Sequence, residues 1–579
     1  MKYLSKKMKL RLIPTIIILI LIFIRFLYLN QIPTGITPDE LHFVLNAKAV
    51  FYNFSDMSDN WSPLSLSTIP SESSSELPFL LISPIIGPLP TNLFTARLPF
   101  VITSLLTIFF IYLITKKLSN SNIALFSVIV ALINPWSFYT SRTSFDAPIA
   151  ILFILIFFYS LISLKKSKIL FSFLPALIFF YSYIGIKPLF LPIILISSIF
   201  SYFFIYQKKY LKWLIILNIF SLLLFVFYLF RLYSNSSLNR LSELYLPSHP
   251  QIIALTENLQ NQTLSSPFTK IFVNRYTVYF KYFIDKYINN FSPKIMFSSG
   301  DPTFLVSLWQ HGYFYYLDIF LIFLGSYFLF RNYIKLFLIS IAFIILSPIP
   351  EAIRIDPNPA YAFHSSIQYP FLYILIAAGL YYFFKITQKF KYVSFITIFI
   401  YISLFSNFLF IYFFRYPLYQ PDGFNFHQRI ISEYIFRENK TKPIIFITSE
   451  PDTAFRSYLF YYNLYQPSNF THIAKQYRSS RDTLKINNIT FTKNTSLFIP
   501  NSTNTFIIQN EYYSKIPSTL NQIILSHIIN HKKLFTILNS DLCVTSTKAL
   551  TQFTQTSFNL KKLNEQQFCS IYFQKVDSL

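Results

Sequence analysis

Lys6-Lys7-Met8-Lys9-Leu10-Arg11, followed by the run Leu12-Ile13-Pro14-Thr15-Ile16-Ile17-Ile18-Leu19-Ile20-Leu21-Ile22-Phe23-Ile24-Arg25-Phe26-Leu27-Tyr28-Leu29, is the stretch that decides the fold. A basic flank and an apolar segment long enough to cross the hydrocarbon core of a bilayer as a helix read as a first membrane span entering from the cytoplasm. No small-x-small cleavage pattern follows, so the run is read as a retained span and not as a removed signal peptide.

The same pattern recurs down the chain. Apolar runs at roughly Leu98–Thr115, Ile123–Tyr139, Ala147–Leu164, Ile169–Tyr183, Pro188–Tyr206, Leu211–Phe230, Gly312–Phe330, Ile334–Ile349, Ile367–Phe384 and Val393–Phe414 bring the expected count to about eleven spans. Alternate gaps carry the lysines: Lys116-Lys117, Lys165-Lys166 with Lys168, Lys208-Lys209 with Lys212, Arg331 with Lys335, and Lys385 to Lys391. By the positive-inside rule those gaps and the N-terminus face the cytoplasm. The gaps between them, including residues 31–96 and 231–311, face outward. An odd number of spans then places the C-terminal tail outside.

Composition agrees. Of 579 residues, 53% are hydrophobic and only 13% charged, about half the charge of a soluble domain. The formal charge of +25 sits mainly in the clusters between apolar runs, which removes the nucleic-acid reading that a basic chain invites. With 8 glycines in the whole chain and no Gly-rich phosphate loop, an ATP-driven motor is excluded.

Near Arg415 the composition changes. The membrane part is expected to occupy residues 1–415, and residues 416–579 to form a separate domain outside the membrane. Ile444–Thr448 reads as a buried strand, and Phe424–Glu438 and Phe455–Tyr465 as amphipathic helices, so a small α/β domain is expected. Cys543 and Cys569 lie in it. A disulfide is open to them in an oxidising compartment, and two separate thiols are equally open.

Chemistry concentrates in the outward loops. After the first span comes Thr34-Gly35-Ile36-Thr37-Pro38-Asp39-Glu40-Leu41-His42. Thr37 and Glu40 have capping-box spacing with Pro38 at the first helical position, so an amphipathic helix to about Phe51 is expected, and Glu40 is either its cap or one of an acidic pair. Asp39 points elsewhere, because neighbouring residues on a helix do not share a face. A carboxylate against an apolar wall can act as a base. In Asn134-Pro135-Trp136 through Ser141-Arg142-Thr143-Ser144-Phe145-Asp146, the last residue either caps the next span or faces the same cavity as Asp39, with Arg142 beside it. His249, Trp309, His311 and the Asp301-Pro302 turn read as packing or interface residues.

These residues carry a resemblance. Asp39-Glu40 after the first span, Ala96-Arg97-Leu98-Pro99 opening the second, Asn134-Pro135-Trp136 with Ser141-Arg142 and Asp146, Pro370 with Ala377-Ala378-Gly379-Leu380, and Tyr461-Tyr462-Asn463-Leu464-Tyr465-Gln466-Pro467 in the tail resemble the GT-C glycosyltransferases of the protein O-mannosyltransferase and aminoarabinose lipid A transferase type. The resemblance implies transfer of a sugar from a polyprenyl-phosphate donor to an extracytoplasmic protein, lipid or glycan, with inversion. It implies Asp39 as the catalytic carboxylate, with Glu40 and Asp146 in the acidic site. Arg142, Lys187, Arg354 and His364 are the candidate cations for the donor phosphate. Some relatives use a divalent metal, which Asp39 and Asp146 could share. The chain departs from the family at Glu76-Leu77-Pro78-Phe79-Leu80, where many members have a His-Pro-Pro-like stretch, and at His364-Ser365-Ser366, where many place an arginine near a late histidine. Two rival readings compete: an O-antigen-ligase-like transferase working through Arg275 and His311 in the long outward loop, and a lipid or solute transporter. The latter would ordinarily show paired repeats, which are not evident here.

Overall fold

The structure, a computed structural model, describes residues 6–67, 69, 75, 77–163, 166–206, 210–234, 247–301, 307–308, 310–354, 361–419, 423–438, 442–499, 503–513, 522–526, 528, 532–544 and 553–576. Glu76, Pro302 and Trp309 lie outside the described residues.

Among the described residues, six helical segments are long and apolar enough to cross a membrane: Leu93–Leu118, Ile184–Ile205, Leu211–Arg231, Ile334–Ala352, Gln368–Ile386 and Lys391–Tyr419. Shorter apolar helices accompany them at Pro14–Ile24, Ser121–Ile133, Ala147–Ser163 and Lys168–Ser182. Outward faces of these helices carry exposed Phe203, Leu223, Phe227 and Phe395. In water that much uncovered apolar surface would drive association. Against lipid tails it needs no partner, and the chain is a multi-spanning helical membrane protein with a C-terminal sheet domain.

Local chemistry sets the ends of the helices. Asn92 caps Leu93–Leu118 by accepting from the Thr95 amide, while Thr95 Oγ1 accepts from the Asn92 amide. The expected span Ile123–Tyr139 is not continuous. It breaks into Ser121–Ile133 and Pro135–Thr140, because Pro135 cannot continue a helix and Asn134 starts the new one by accepting from the Ser137 amide. The break strands carbonyls inside the protein. Arg25 resolves this, donating to the carbonyls of Ala131, Leu132 and Ser137 at 2.9, 3.1 and 2.8 Å. Arg25, directly after the helix Lys6–Ile24, therefore stitches the first span to the next helices.

Helices Tyr316–Asn332 and Gln368–Ile386 pack backbone to backbone at Gly325 and Gly379. A Cβ on Gly325 would run into the Leu375 carbonyl, and one on Gly379 into that of Leu321. Small residues at such crossings are what lets helices associate in a bilayer. Gly379→Leu is expected to lower the thermal midpoint in detergent, by an overpacking cost of roughly 1–3 kcal/mol. An unchanged midpoint would show that the crossing can open without cost.

The tail holds a seven-stranded sheet of β1 (Ile444–Ile447), β2 (Thr483–Ile486), β3 (Ile489–Thr492), β4 (Thr505–Gln509), β5 (Gln522–Ser526), β6 (Lys533–Leu538) and β7 (Phe573–Val576), in the order β2-β3-β1-β4-β6-β5-β7. β1 runs parallel to both β3 and β4, and the other pairings are antiparallel. The central, apolar β1 is the strand expected at Ile444–Thr448. Helices Phe426–Glu438 and Pro451–Tyr461 occupy the places of the two expected amphipathic helices, the second shifted toward its Pro451 start. Cys543 and Cys569 are joined as a disulfide, which removes the reading of two separate thiols.

The tail is not a loose appendage. Leu41, Val44 and Leu45 of helix Pro38–Asn53 share one apolar core with Phe455, Tyr458 and Leu459. The loop ahead of that helix is clamped from both sides. Arg97 Nη1 and Nη2 donate to the carbonyls of Leu29 and Gly35 at 2.9 and 2.6 Å, and Arg429 donates to the Thr34 carbonyl at 2.6 Å. Gly35 sits against the Phe424–Phe426 backbone with no room for a Cβ.

Candidate functional site

Helix Pro38–Asn53 begins as its sequence requires. Thr37 Oγ1 accepts from the Glu40 amide at 3.1 Å, and Glu40 Oε2 accepts from the Thr37 amide at 2.9 Å. The other oxygen of Glu40 accepts from the Ser144 amide at 2.7 Å. Glu40 is thus fully buried and bonded through both oxygens, and it does not line the cavity described next. Its place among the catalytic residues is corrected. It braces the helix start to the Arg142–Asp146 loop, and burial raises its pKa against the opposing pull of Arg97 and these hydrogen bonds.

Asp39 faces the other way, into a cavity of about 450 Å³ between the membrane helices and the tail. Asp146 faces the same cavity, and its Oδ2 accepts from Ser75 Oγ at 2.9 Å. Both acids of the acidic site other than Glu40 therefore meet in one space. Loss of water raises the pKa of each. Asp146, which lies ahead of the helix Ala147–Ser163, reaches about 7 through burial, opposed by Ser75 and reinforced by the nearby charge of Asp39. Burial thus weakens both acids, and Asp146 is the one whose proton is held up to near neutrality.

Of the four candidate cations, two reach the cavity. Arg354 lines it beside Tyr361, with the guanidinium 5.8 Å from the ring centre. His364 lines it too, its Nδ1 held 2.7 Å from the fully buried Glu351, which Lys286 also approaches at 3.7 Å. The other two are corrected. Arg142 is completely buried, donating to the carbonyls of Arg25 and Ile32 at 2.7 and 3.0 Å among Phe138, Tyr412 and Phe413. Lys187 is buried over the Tyr228 ring at 4.1 Å with Phe180 and Tyr181 around it, outside the cavity lining. Both stabilise the membrane fold from where they sit.

The residues of the rival ligase-like reading stay apart from this space. Arg275 opens the helix Arg275–Asn289 on an exposed face, and His311 packs on Tyr315 and Phe408 with Nδ1 against the Gly312 carbonyl. His249 caps the helix Pro250–Asn261.

The cavity also contains side chains that the sequence did not single out: His42, Tyr183 and Tyr361, and from the tail Asp452, Arg456 and Arg481. His42 had a signal, since it stands three residues after Asp39 on the same helical face. Burial, with Arg456 and Arg481 facing it, pushes its pKa well below the usual value, so it is a neutral ring. Among the described residues no three His, Cys, Asp or Glu side chains come together as a metal site. Three carboxylates line the cavity, those of Asp39, Asp146 and Asp452, and a hard divalent cation held by Asp39 and Asp146 would complete its shell with water and substrate phosphate.

No family model matches the chain, and no curated protein matches it. Among solved structures it is similar to ArnT from Cupriavidus metallidurans in the apo state, with a TM-score of 0.47 and 11% identity over 92% of this chain and 98% of that one. ArnT from the same organism bound to undecaprenyl phosphate gives 0.45 at 10% identity, over 91% and 98%. The apo oligosaccharyltransferase of Archaeoglobus fulgidus gives 0.41 at 10% identity, over 91% and 74%. These neighbours are GT-C glycosyltransferases.

Proposed function

We propose that this protein is an integral-membrane, inverting glycosyltransferase that moves a sugar from a polyprenyl-phosphate donor to an acceptor hydroxyl on the extracytoplasmic side. The observation that carries the reading is that Asp39 and Asp146 share one cavity with Arg354 and His364 at the junction of the membrane helices and the tail. A lipid-linked donor needs its isoprenoid chain among the spans and its phosphate at their outer margin. Carboxylates and cations gathered in one water-limited space suit a reaction that removes a proton at one end and releases an anion at the other.

In this reading the acceptor oxygen attacks the anomeric carbon as Asp39 takes its proton. The new carbon–oxygen bond forms while the bond from the anomeric carbon to the phosphate oxygen breaks. The electron pair leaves with polyprenyl phosphate, whose growing charge Arg354 and His364 offset. A single displacement inverts the anomeric centre. Asp146 holds its proton and keeps a second negative charge out of the space around Asp39. A divalent cation bound by the same pair would supply further stabilisation of the leaving phosphate. The disulfide in the tail supports an oxidising location for it, in line with the alternation of the lysine clusters, and about eleven spans with the N-terminus inside remains the proposed topology.

The test is to offer the purified protein a panel of polyprenyl-phosphate sugars and follow transfer or slow hydrolysis with and without a chelator. Turnover of at least one donor is expected. It should fall on the acid side as Asp39 gains a proton, because a protonated carboxyl cannot act as base. Absence of turnover with every donor, together with uptake or flipping of lipid or solute, would establish the transporter reading instead.

A further inference from the structure

We propose that the stretch from Pro250 to Asn289 is a membrane-surface anchor. Its apolar face enters the lipid leaflet on the cavity's side, and its last turn fastens that surface to the wall carrying Arg354 and His364. The partner is the lipid itself. The anchor depends on the membrane fold alone and stands whether or not the cavity transfers sugar.

Three helices make up the stretch, Pro250–Asn261, Thr269–Phe272 and Arg275–Asn289. Leu264, Phe272 and Phe280 are 91%, 72% and 64% exposed, against 71% for Phe395 on the lipid side of the span Lys391–Tyr419. Apolar side chains left that bare mark a surface with a partner. The helix Arg275–Asn289 has three sides. Lys286 is buried on the first, its Nζ donating to the Arg354 carbonyl at 3.0 Å. Tyr276, Phe280 and Ile284 follow one another at single-turn spacing on the second, where Tyr276 and Phe280 stand exposed. Lys281 and Asp285, also one turn apart, are exposed on the third. Protein, apolar medium and water thus each have a side, which is how a helix lies in a membrane surface. Lys270 and Arg275, exposed beside the rings, have stems long enough to return their charge to the headgroups.

Continuity with the lipid belt of the spans identifies the apolar medium. The Tyr287 hydroxyl donates to the Ile345 carbonyl at 2.6 Å, and Ile345 is an exposed residue of the span Ile334–Ala352, near its cavity end. Directly after the helix, Phe291 and the run Ile295, Met296 and Phe297 join the core of the membrane bundle. The apolar side of the anchor therefore adjoins the lipid-facing side of a span. A soluble protein or a second copy of the chain could cover the rings, but neither has reason to sit flush with that belt. The same last turn reaches the cavity. Lys286 approaches Glu351 at 3.7 Å, and Glu351 holds His364 Nδ1 at 2.7 Å. Arg354 and His364 both line the cavity, so the depth of the anchor in the lipid sets the height of these two side chains above it.

The experiment uses the full chain in phospholipid nanodiscs, with Cys543 and Cys569 kept as their disulfide. Phe272→Cys, Phe280→Cys and Asp285→Cys are each spin-labelled, with Phe395→Cys as the lipid reference. Accessibility to oxygen, which concentrates in lipid, is compared with accessibility to a water-soluble nickel chelate. The labels replacing Phe272 and Phe280 are expected to approach the reference, with an oxygen-to-nickel ratio several-fold above that of the label replacing Asp285. Higher nickel access at the two phenylalanine positions overturns the anchor, because they then face water. Shielding from both reagents overturns it in favour of a protein partner, a second copy included. Oxygen preference at the Asp285 position as well overturns the surface placement, because the helix then lies wholly inside the lipid. The fastening is read separately, from the spectrum of the label replacing Phe280. Lys286→Met should sharpen that spectrum as the helix loosens from the bundle, and Lys286→Arg should keep most of the original line shape. An unchanged spectrum in Lys286→Met overturns the fastening, and the accessibility ratios decide the anchor independently of it.

Discussion

Asp39→Asn is expected to reduce sugar transfer by roughly 10²–10⁴-fold, the usual worth of a positioned general base, with the thermal midpoint almost unchanged. The asymmetry follows from placement. Asp39 opens into the cavity, and the capping of its helix belongs to Thr37 and Glu40. Asparagine keeps the shape and can still hydrogen-bond, but it takes up no proton. Asp146→Asn is the informative companion. With its pKa raised to about 7, Asp146 already carries a proton over much of the neutral range, and an amide imitates that form. It should cost far less than Asp39→Asn near pH 6, and above pH 8, where the wild-type carboxyl ionises and the amide does not, its cost relative to wild type should shrink further. Equal, near-complete loss in both variants would move the pair from proton transfer to holding a divalent cation. Near-normal turnover in Asp39→Asn would remove Asp39 from the chemistry.

Glu40→Ala should act through the fold. Alanine strips the acceptor from two buried amides, those of Thr37 and Ser144, and removes a buried charge facing Arg97. Hydrogen bonds to charged groups contribute about 1.5–3 kcal/mol each, and breaking up a buried charge arrangement costs about 3–5 kcal/mol in all. A large fall in thermal midpoint is expected, with donor turnover lost as the helix carrying Asp39 and the loop carrying Asp146 separate. Glu40→Gln keeps one carbonyl oxygen, enough for one of the two amides, and should fall between. A stable, well-folded Glu40→Ala protein with poor turnover would refute the bracing role and return Glu40 to the reaction.

Reading the sequence recovered what depends on local pattern. Apolar length and lysine alternation identify a membrane chain, Thr37-Pro38-Asp39-Glu40 announces a capped helix, and the apolar Ile444–Thr448 announces the central strand. Asp39 and Asp146 could be paired because Asp39 follows one apolar run and Asp146 precedes another, at ends that the lysine alternation puts on one side. What failed depends on direction in space. Arg142 and Arg354 look alike as arginines near span ends, yet one threads back to the carbonyls of Arg25 and Ile32 and the other turns into the cavity. The spacing of Asp452 and Arg456 is that of any surface pair on a helix. Only the shared core of the helices Pro38–Asn53 and Pro451–Tyr461 brings them above Asp39. Nothing in the tail's own sequence marks the face it turns toward the membrane.

The double clamp on residues 34–35 sets a rule for recombining such proteins. Arg429 and the Phe424–Phe426 backbone meet a loop that Arg97 holds from below, so the tail and the loop after the first span are matched halves of one joint. A chimera that grafts a foreign tail after the last span inherits a foreign ceiling over Asp39. It can seat that ceiling only if its Thr34–Gly35 equivalent travels with the graft. Modularity in this architecture therefore runs across the chain, from the first loop to the tail, and not along it.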